Sequence, residues 1–522
     1  MLATTATANA RVVADVAEQL AGGDGQGAGT LVLRGELDRS SLHLSVVALP
    51  SAAHRWAWLA EQLPGLAGSG IVYCLTVAAT GELASYLRAR GITAVAYSGR
   101  TDDAERRQAE DDLLANRVKV VVATSALGMG FDKADLGFVV HLGAPPSPIA
   151  YYQQVGRAGR GVEKADVVLL PGQQDQEIWR YFASLGFPAE QQVREVLTVL
   201  DGAGTLSTPA LEAHVDLRRT RLETMLKVLD VDGAVQRVTG GWRATGRSWH
   251  YDAERYAKVT HDRAAEQQAM RAYAETTGCR MLFLRRQLDD PAVVDGTAAS
   301  CGRCDRCTGR EPDTTVSGDA LAAASAALGR PGVEIEPRRT WPTGMAALGV
   351  ELAGRIPKGL QAEGGRALGR LSDIGWGNRL RPLLAGPDAP VPEPVLRAVV
   401  EVLAAWGWEQ RPVGLVALPS RRRPQLVGSL AQQLSEMGRL PLVTTLERRR
   451  ESTSGGVNSA QRLRAVHGAF AVPAAVLGRL PSGPLLLVDD IVDTGWTITE
   501  ATRVLREAGA EAVLPLALAL DA

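Results

Sequence analysis

Cysteine is scarce in this chain, with five among 522 residues. So few thiols cannot staple a polypeptide of this length, which excludes a disulfide scaffold of the secreted type. A charge excess is also missing: 57 Lys and Arg face 58 Asp and Glu, for a formal net charge of −1. Bulk electrostatics therefore marks no nucleic-acid or membrane partner, and any basic surface has to be local. No run of about eighteen apolar residues occurs, and no basic segment followed by an unbroken apolar core opens the sequence, so neither a membrane span nor a signal peptide is indicated. A cytoplasmic location is expected. Arginine is favoured over lysine amid much Ala and Gly, which reads as genome composition rather than function.

What is present is length enough for three or four domains. Residues 70–170 alternate short β-rich runs with amphipathic stretches, the pattern of a parallel sheet covered by helices. Strands are predicted at Ile71–Leu75, Ile92–Tyr97, Val118–Ala123, Phe138–Leu142 and Val167–Leu170. Helices are predicted from Ala78 to Arg90, from an N-cap at Thr101 to Asn116, and from Pro148 to Arg157. Ligands of such sheets gather at the carboxyl ends of the strands, so the loops there are where chemistry is expected. Cys74, in an apolar strand, reads as a small core residue.

After the strand ending at Ala123 comes A-T-S-A-L-G-M-G-F-D-K, and near residue 150 stands Y-Y-Q-Q-V-G-R-A-G-R. In this order and spacing the two segments resemble motifs V and VI of superfamily II helicases, and the double glutamine with G-M-G resembles RecQ in particular. An arginine delivered to a γ-phosphate across an interface is worth roughly 10³ to 10⁵ in rate, and Arg160 is the candidate for that finger. Arg157, three residues earlier, is the candidate for a neighbouring phosphate oxygen. Gln153 and Gln154 are candidates for relaying nucleotide state, with a solvated helix face as the plain alternative. The resemblance implies that Asp132, in the loop with Gly130, touches the nucleotide ribose, although RecQ relatives mostly carry Asn there. It also implies that Thr124 contacts a DNA phosphate.

Residues 2–9, L-A-T-T-A-T-A-N, resemble motif III, which closes the first motor lobe of these helicases. No G-x-x-x-x-G-K-[ST] and no D-E-x-H follows to cradle phosphates or hold magnesium. The expectation is a fragment, or an internal methionine taken as a start, that does not hydrolyse ATP by itself and uses ATP and Mg²⁺ only with a missing lobe.

Residues 190–245 read as a winged helix, with Arg218, Arg219, Arg221 and Lys227 as candidates for DNA phosphates and Arg237, Trp242 and Arg243 for the duplex at a fork. A solvated helix and hairpin is the alternative. Familiar RecQ proteins place the winged helix after the metal site, whereas here it comes first. Cys279 is followed by C-x₂-C-x₂-C at Cys301, Cys304 and Cys307, four thiolates suited to a structural Zn²⁺ with no open position, and this resembles the RecQ zinc module. Arg280, Arg285 and Arg286 beside it are further candidates for the DNA backbone, or for structure alone.

Composition shifts to Gly, Pro, Ala and Ser from about 309 to 337, read as a linker. Beyond it, P-L-L-L-V-D-D-I-V-D-T-G-W-T resembles the phosphoribosyl pyrophosphate motif of type I phosphoribosyltransferases, and residues 340–522 resemble the ComF group. Asp489 and Asp490 are candidates for ribose hydroxyls, directly or through magnesium, and Asp493, Thr494, Gly495 and Thr497 for a 5′-phosphate at a helix N-terminus. The resemblance places a pyrophosphate grip at 418–424 and a mobile flap at 458–462. Catalysis, or a retained fold that binds DNA or nucleotide, are both open.

The expected fold is α/β and multidomain: a first-lobe remnant and connector (1–45), a RecA-like parallel-sheet lobe (46–175), a winged helix (176–260), a zinc module (261–310), a linker (311–340) and a phosphoribosyltransferase-like α/β domain (341–522). Three functions compete: a helicase that unwinds 3′ to 5′ in repair or recombination, acting on single-stranded and forked DNA near the nucleoid; a transferase; and a DNA-binding protein without enzymatic activity.

Overall fold

A computed structural model describes residues 37–128, 130–184, 186–450 and 456–521, with 3–4, 7, 12–14, 16–17 and 30–35 before them. The chain divides into two compact units, Met1–Ser184 with Glu254–Leu328, and Leu185–Ala253 with Gly329–Ala522. The motif III-like run at 2–9 lies outside the described residues except for Ala3, Thr4 and Thr7. No described helix is long and apolar enough to cross a membrane.

The first unit is built on a wholly parallel sheet. Its strands are β1 (Leu42–Val46), β2 (Gly70–Cys74), β3 (Ala94–Tyr97), β4 (Val120–Ala123), β5 (Phe138–Leu142) and β6 (Ala165–Leu170), in the order β1-β6-β5-β2-β4-β3. Every residue of β2, β4 and β5 is buried, which is why these strands read as unbroken apolar runs rather than alternations. Cys74 lies in β2 as a core residue. The helix Val77–Ala89 is capped by Thr76, and Pro148–Val155 by Ser147. The helix Asp103–Leu114 is capped by Asp102 and not by Thr101, whose hydroxyl instead accepts from the Ser98 backbone N–H. β1 is not among the predicted strands, and the expected boundary at 45/46 cuts through it.

One apolar core joins this sheet to the cysteine-rich segment: Leu42, Tyr151 and Val155 share it with Tyr273, Met281, Leu284 and Cys304. Residues 185–253 are thus inserted between two parts of a single unit.

In the second unit, helices Glu190–Ala203, Thr208–Leu211 and Arg219–Val231 lead into the antiparallel pair β7 (Val235–Val238) and β8 (Gly241–Ala244). At Gly241, φ is +151° and a Cβ would lie 2.1 Å from the Leu206 carbonyl oxygen, so glycine is required where the hairpin meets that residue. The larger sheet comprises β9 (Val333–Ile335), β10 (Gly365–Arg370), β11 (Gly414–Ala417), β12 (Leu442–Thr445), β15 (Pro484–Val492) and β16 (Ala512–Leu520). Its order is β12-β11-β15-β16-β10-β9, with only β9 antiparallel to its neighbour; β13 (Glu447–Arg448) and β14 (Phe470–Ala471) form a separate ribbon. The expected linker contains the helix Gly318–Gly329 and β9.

Candidate nucleotide edge and metal centre

The helix Pro148–Val155 runs antiparallel to β5, so the turn after it returns to the edge where the strands begin. Gly159 N–H donates to the Leu136 carbonyl just ahead of β5, and the Ser41 hydroxyl, just ahead of β1, donates to Gly159 O at 2.6 Å. With φ at +69°, a Cβ on Gly159 would stand 2.4 Å from Ser41 Oγ. Arg157, Arg160 and the Asp132 loop therefore gather at the amino ends of the strands, not at the carboxyl ends expected from the sheet type. Thr124, directly after β4, is the candidate that occupies a carboxyl end.

The helix stops at Val155, so the two arginines are not one helical turn apart on a common face. Arg157 turns inward: its Nη1 donates to the Phe131 carbonyl at 3.0 Å, and its Nε is buried without a hydrogen-bond partner. Arg160 turns outward and pairs with Asp132 at 2.9 Å, with side chains 43% and 65% exposed. A pair so open to water contributes less than about 1 kcal/mol, and a phosphate oxygen can replace the carboxylate. Asp132 is thus placed against the finger candidate, while Gly130, exposed with φ at +107°, begins the same loop. An open cleft of about 580 Å³ lies beside them, lined by Asp38, Arg39, Ser41, Gly159, Arg160 and Glu163.

The two glutamines have separate partners. Gln153 donates to the Thr7 hydroxyl. Gln154 points into the core, its Oε1 2.7 Å from His141 Nε2. His141 is buried on β5 between the rings of Tyr73 and Tyr151, with centroids 5.2 and 4.7 Å away. Burial lowers its pKa to about 4, so the ring is neutral, with Nε2 donating to Gln154 and Nδ1 unpartnered.

The four cysteine sulfurs lie within 4.8 Å of one another. Cys279 caps the helix Arg280–Gln287 and accepts from the backbone N–H groups of Leu282 and Cys301; Cys301 accepts in turn from that of Cys304. Hydrogen bonding from Cys301 holds the Cys279 thiol below the usual thiol range. This donor set fits one tetrahedrally held soft cation. Of the two alternatives for Arg280 and Arg285, the structural one holds: both are buried and paired, with Asp305 at 2.6 Å and Asp290 at 2.7 Å, whereas Arg286 is exposed.

Residues 58–162 match the helicase conserved C-terminal domain. Over 286 residues the chain is 29% identical to the ATP-dependent DNA helicase RecQ of Synechocystis, covering 52% of this chain and 55% of that protein. It is 41% identical over 102 residues to the RecQ helicase of Pasteurella multocida, covering 20% of this chain and 16% of that protein. The chain thus spans about half, or less, of the curated relatives it matches. Among solved structures, the E. coli DEAD-box protein SrmB bound to RraA is similar, with 26% identity, a TM-score of 0.26, and coverage of 28% of this chain and 86% of that one.

Outside the helicase domain, the structure sorts the DNA candidates of the inserted segment. Arg218, Lys227, Arg237 and Arg243 are exposed. Arg219 is paired with Glu212, and Arg221 donates to the Gly186 carbonyl at 2.9 Å. Trp242 is buried in the segment's own core with its Nε1 donating to Thr208, which removes it from duplex contact.

In the larger sheet of the second unit, β15 continues to Val492, so Asp489 and Asp490 are buried within the strand. Asp490 accepts from the Ser420 hydroxyl at 3.0 Å and pairs with Arg423 at 2.9 Å. Burial, reinforced by Asp490, pushes the Asp489 carboxyl well above the usual carboxylate range. Asp493 pairs with Arg462 at 2.8 Å, the Thr494 carbonyl accepts from Arg338, and Gly495, at φ +79°, opens the helix Trp496–Glu507, in whose first turn Thr497 is half-buried. The expected flap at 458–462 is anchored: Asn458 caps the helix Ser459–Val466 and donates to the Glu212 and Val215 carbonyls at 2.9 and 2.7 Å.

Sequence reasoning missed Arg39, Ser41, His141 and Tyr73. The available signal was a histidine inside the otherwise apolar F-V-V-H-L.

Proposed function

We propose that the first unit is the second motor lobe of an ATP-driven DNA helicase of RecQ type, acting with an ATP-gripping lobe on another stretch of polypeptide. The observation that carries this reading is the outward Arg160, held by a weak exposed pair to Asp132 at the edge of the helicase domain. That arrangement suits a guanidinium released to an arriving γ-phosphate, while the half-buried Arg157 stiffens the turn behind it. In this reading ATP and Mg²⁺ bind mainly through the other lobe, and Zn²⁺ fills the four-cysteine site as a structural ion. The partners are single-stranded and forked DNA, with 3′-to-5′ unwinding in repair or recombination in the cytoplasm, near the nucleoid. The test is DNA-stimulated ATP hydrolysis by a polypeptide extended upstream through an ATP-gripping lobe. Hydrolysis is expected, and its absence despite an intact upstream lobe contradicts the reading.

A second reading is favoured for the second unit by the buried Asp489 and Asp490, braced by Ser420 and Arg423 one strand away from a helix opened by Gly495. These groups suit a phosphoribosyl pyrophosphate–magnesium complex, in a transferase or in a fold that binds nucleotide or DNA. Pyrophosphate release that is lost in Asp490→Asn supports the transferase. DNA binding with neither activity leaves a non-enzymatic binding protein.

A further inference from the structure

The metal centre and the arginine turn are far apart in sequence but are joined in the first unit by one short polar chain. Arg303 stands between Cys301 and Cys304. Its Nη1 donates to the Cys301 carbonyl at 3.0 Å, and its Nε donates to the Leu42 carbonyl at 3.1 Å. Its Nη2 donates to the Arg39 carbonyl at 2.8 Å and pairs with the Asp38 carboxylate. One guanidinium thus ties the cysteine knuckle to residues 38–42.

The next link is Arg39, whose Nη1 and Nη2 donate to the Gly156 and Ala158 carbonyls at 3.0 and 3.1 Å. Ser41 adds its bond to Gly159 O. The three carbonyls so held belong to the turn that carries Arg157 and Arg160. The Arg303 side chain is 15% exposed, so its bonds are sheltered from water, unlike the outward Arg160–Asp132 pair. Charge-assisted bonds at planar forks fix orientation as well as distance.

We propose that Arg303 is a positioning residue through which the four-cysteine site sets the turn presenting Arg160. The metal orders the knuckle, the knuckle aims Arg303, and Arg303 with Arg39 holds the turn. The functional consequence rests on the reading that Arg160 serves a nucleotide; the mechanical coupling does not.

The experiment is hydrogen–deuterium exchange with mass spectrometry on the full chain, with bound zinc measured in the same samples. In Arg303→Ala with zinc retained, amides of 156–162 should exchange at least about tenfold faster, the size expected for losing charge-assisted bonds, while β2 and β5 stay protected. Unchanged exchange at 156–162 overturns the proposal. Should that variant lose zinc, Arg39→Ala decides: it should free 156–162 with zinc retained, and an unaffected turn overturns the coupling. Removing zinc from the unaltered chain should loosen 38–42 and 156–162 ahead of β2 and β5. A sheet that loosens in step with them makes the metal a general brace and also refutes the proposal. If the coupling holds but Arg160→Ala leaves hydrolysis intact once the other lobe is supplied, the nucleotide reading fails and the coupling stands.

Discussion

Acid should weaken the first unit through His141. The ring is 1% exposed, stacked on Tyr73 and packed against the tilted Tyr151 ring, and burial lowers its pKa from 6.5 to about 4. In the unfolded chain it takes up a proton near 6.5, whereas in the folded chain it resists until about 4. Its contribution is therefore fully present above pH 6.5 and is lost as pH falls through the folded value. At about 1.4 kcal/mol per tenfold change in proton affinity, that displacement corresponds to about 3 kcal/mol. The assay is urea unfolding of the full chain at pH 7, 6, 5 and 4, with opening of the sheet read by a brief thiol-labelling pulse at Cys74, delivered at one common pH. His141→Phe keeps an aromatic ring in the stack and removes the titration. It has a fixed cost from leaving Gln154 without its partner, so the informative quantity is the difference between the two proteins. That difference should shrink by about 3 kcal/mol in favour of the variant between pH 7 and pH 4. A difference flat in pH refutes the assignment of His141 as a buried neutral ring.

Asp175 supplies the opposite sign. It accepts from the Ala144 and Gly172 backbone N–H groups at 2.8 Å, and burial raises its pKa to about 6. Its stabilisation is complete below the unfolded value of 3.8 and is lost as pH rises through about 6, so unfolding of Asp175→Asn against the unaltered chain should diverge by about 3 kcal/mol over that window. Trp242→Ala should destabilise the inserted segment by about 3 to 5 kcal/mol in thermal unfolding, as removal of a buried aromatic does. Charge reversal at the exposed Arg218 and Lys227 should leave folding unchanged and flatten the salt dependence of DNA binding, and an unaltered slope removes them from the interface.

The parallel sheet was legible because buried strands write themselves as short apolar runs and the intervening helices as amphipathic stretches. β1 escaped because its L-H-L-S-V, an edge strand paired with β6, carries a histidine and a serine that break the apolar run by which the other strands stand out. The four cysteines were legible from spacing alone, since chemistry fixes how many thiolates one ion takes. The arginines were legible as residue types but not as geometry. That Arg157 turns inward, and that the turn returns to the amino edge of the sheet, depend on where the helix ends and which way it runs. The roles of Arg280, Arg285 and Trp242 were illegible for a related reason: whether an arginine or tryptophan is buried is decided by partners such as Asp305, Asp290 and Thr208, which sequence proximity does not reveal, whereas Arg219 stays exposed and is held by Glu212.

In the proposed motor, Arg160 serves a nucleotide gripped by another lobe. The direct measurement is the rate of DNA-stimulated ATP hydrolysis by the two-lobe polypeptide with Arg160 intact and with Arg160→Ala, alongside its affinity for single-stranded DNA. That role requires a fall of roughly 10³ to 10⁵ in hydrolysis at unchanged DNA affinity. Hydrolysis that survives the substitution, or a loss confined to DNA binding, contradicts it.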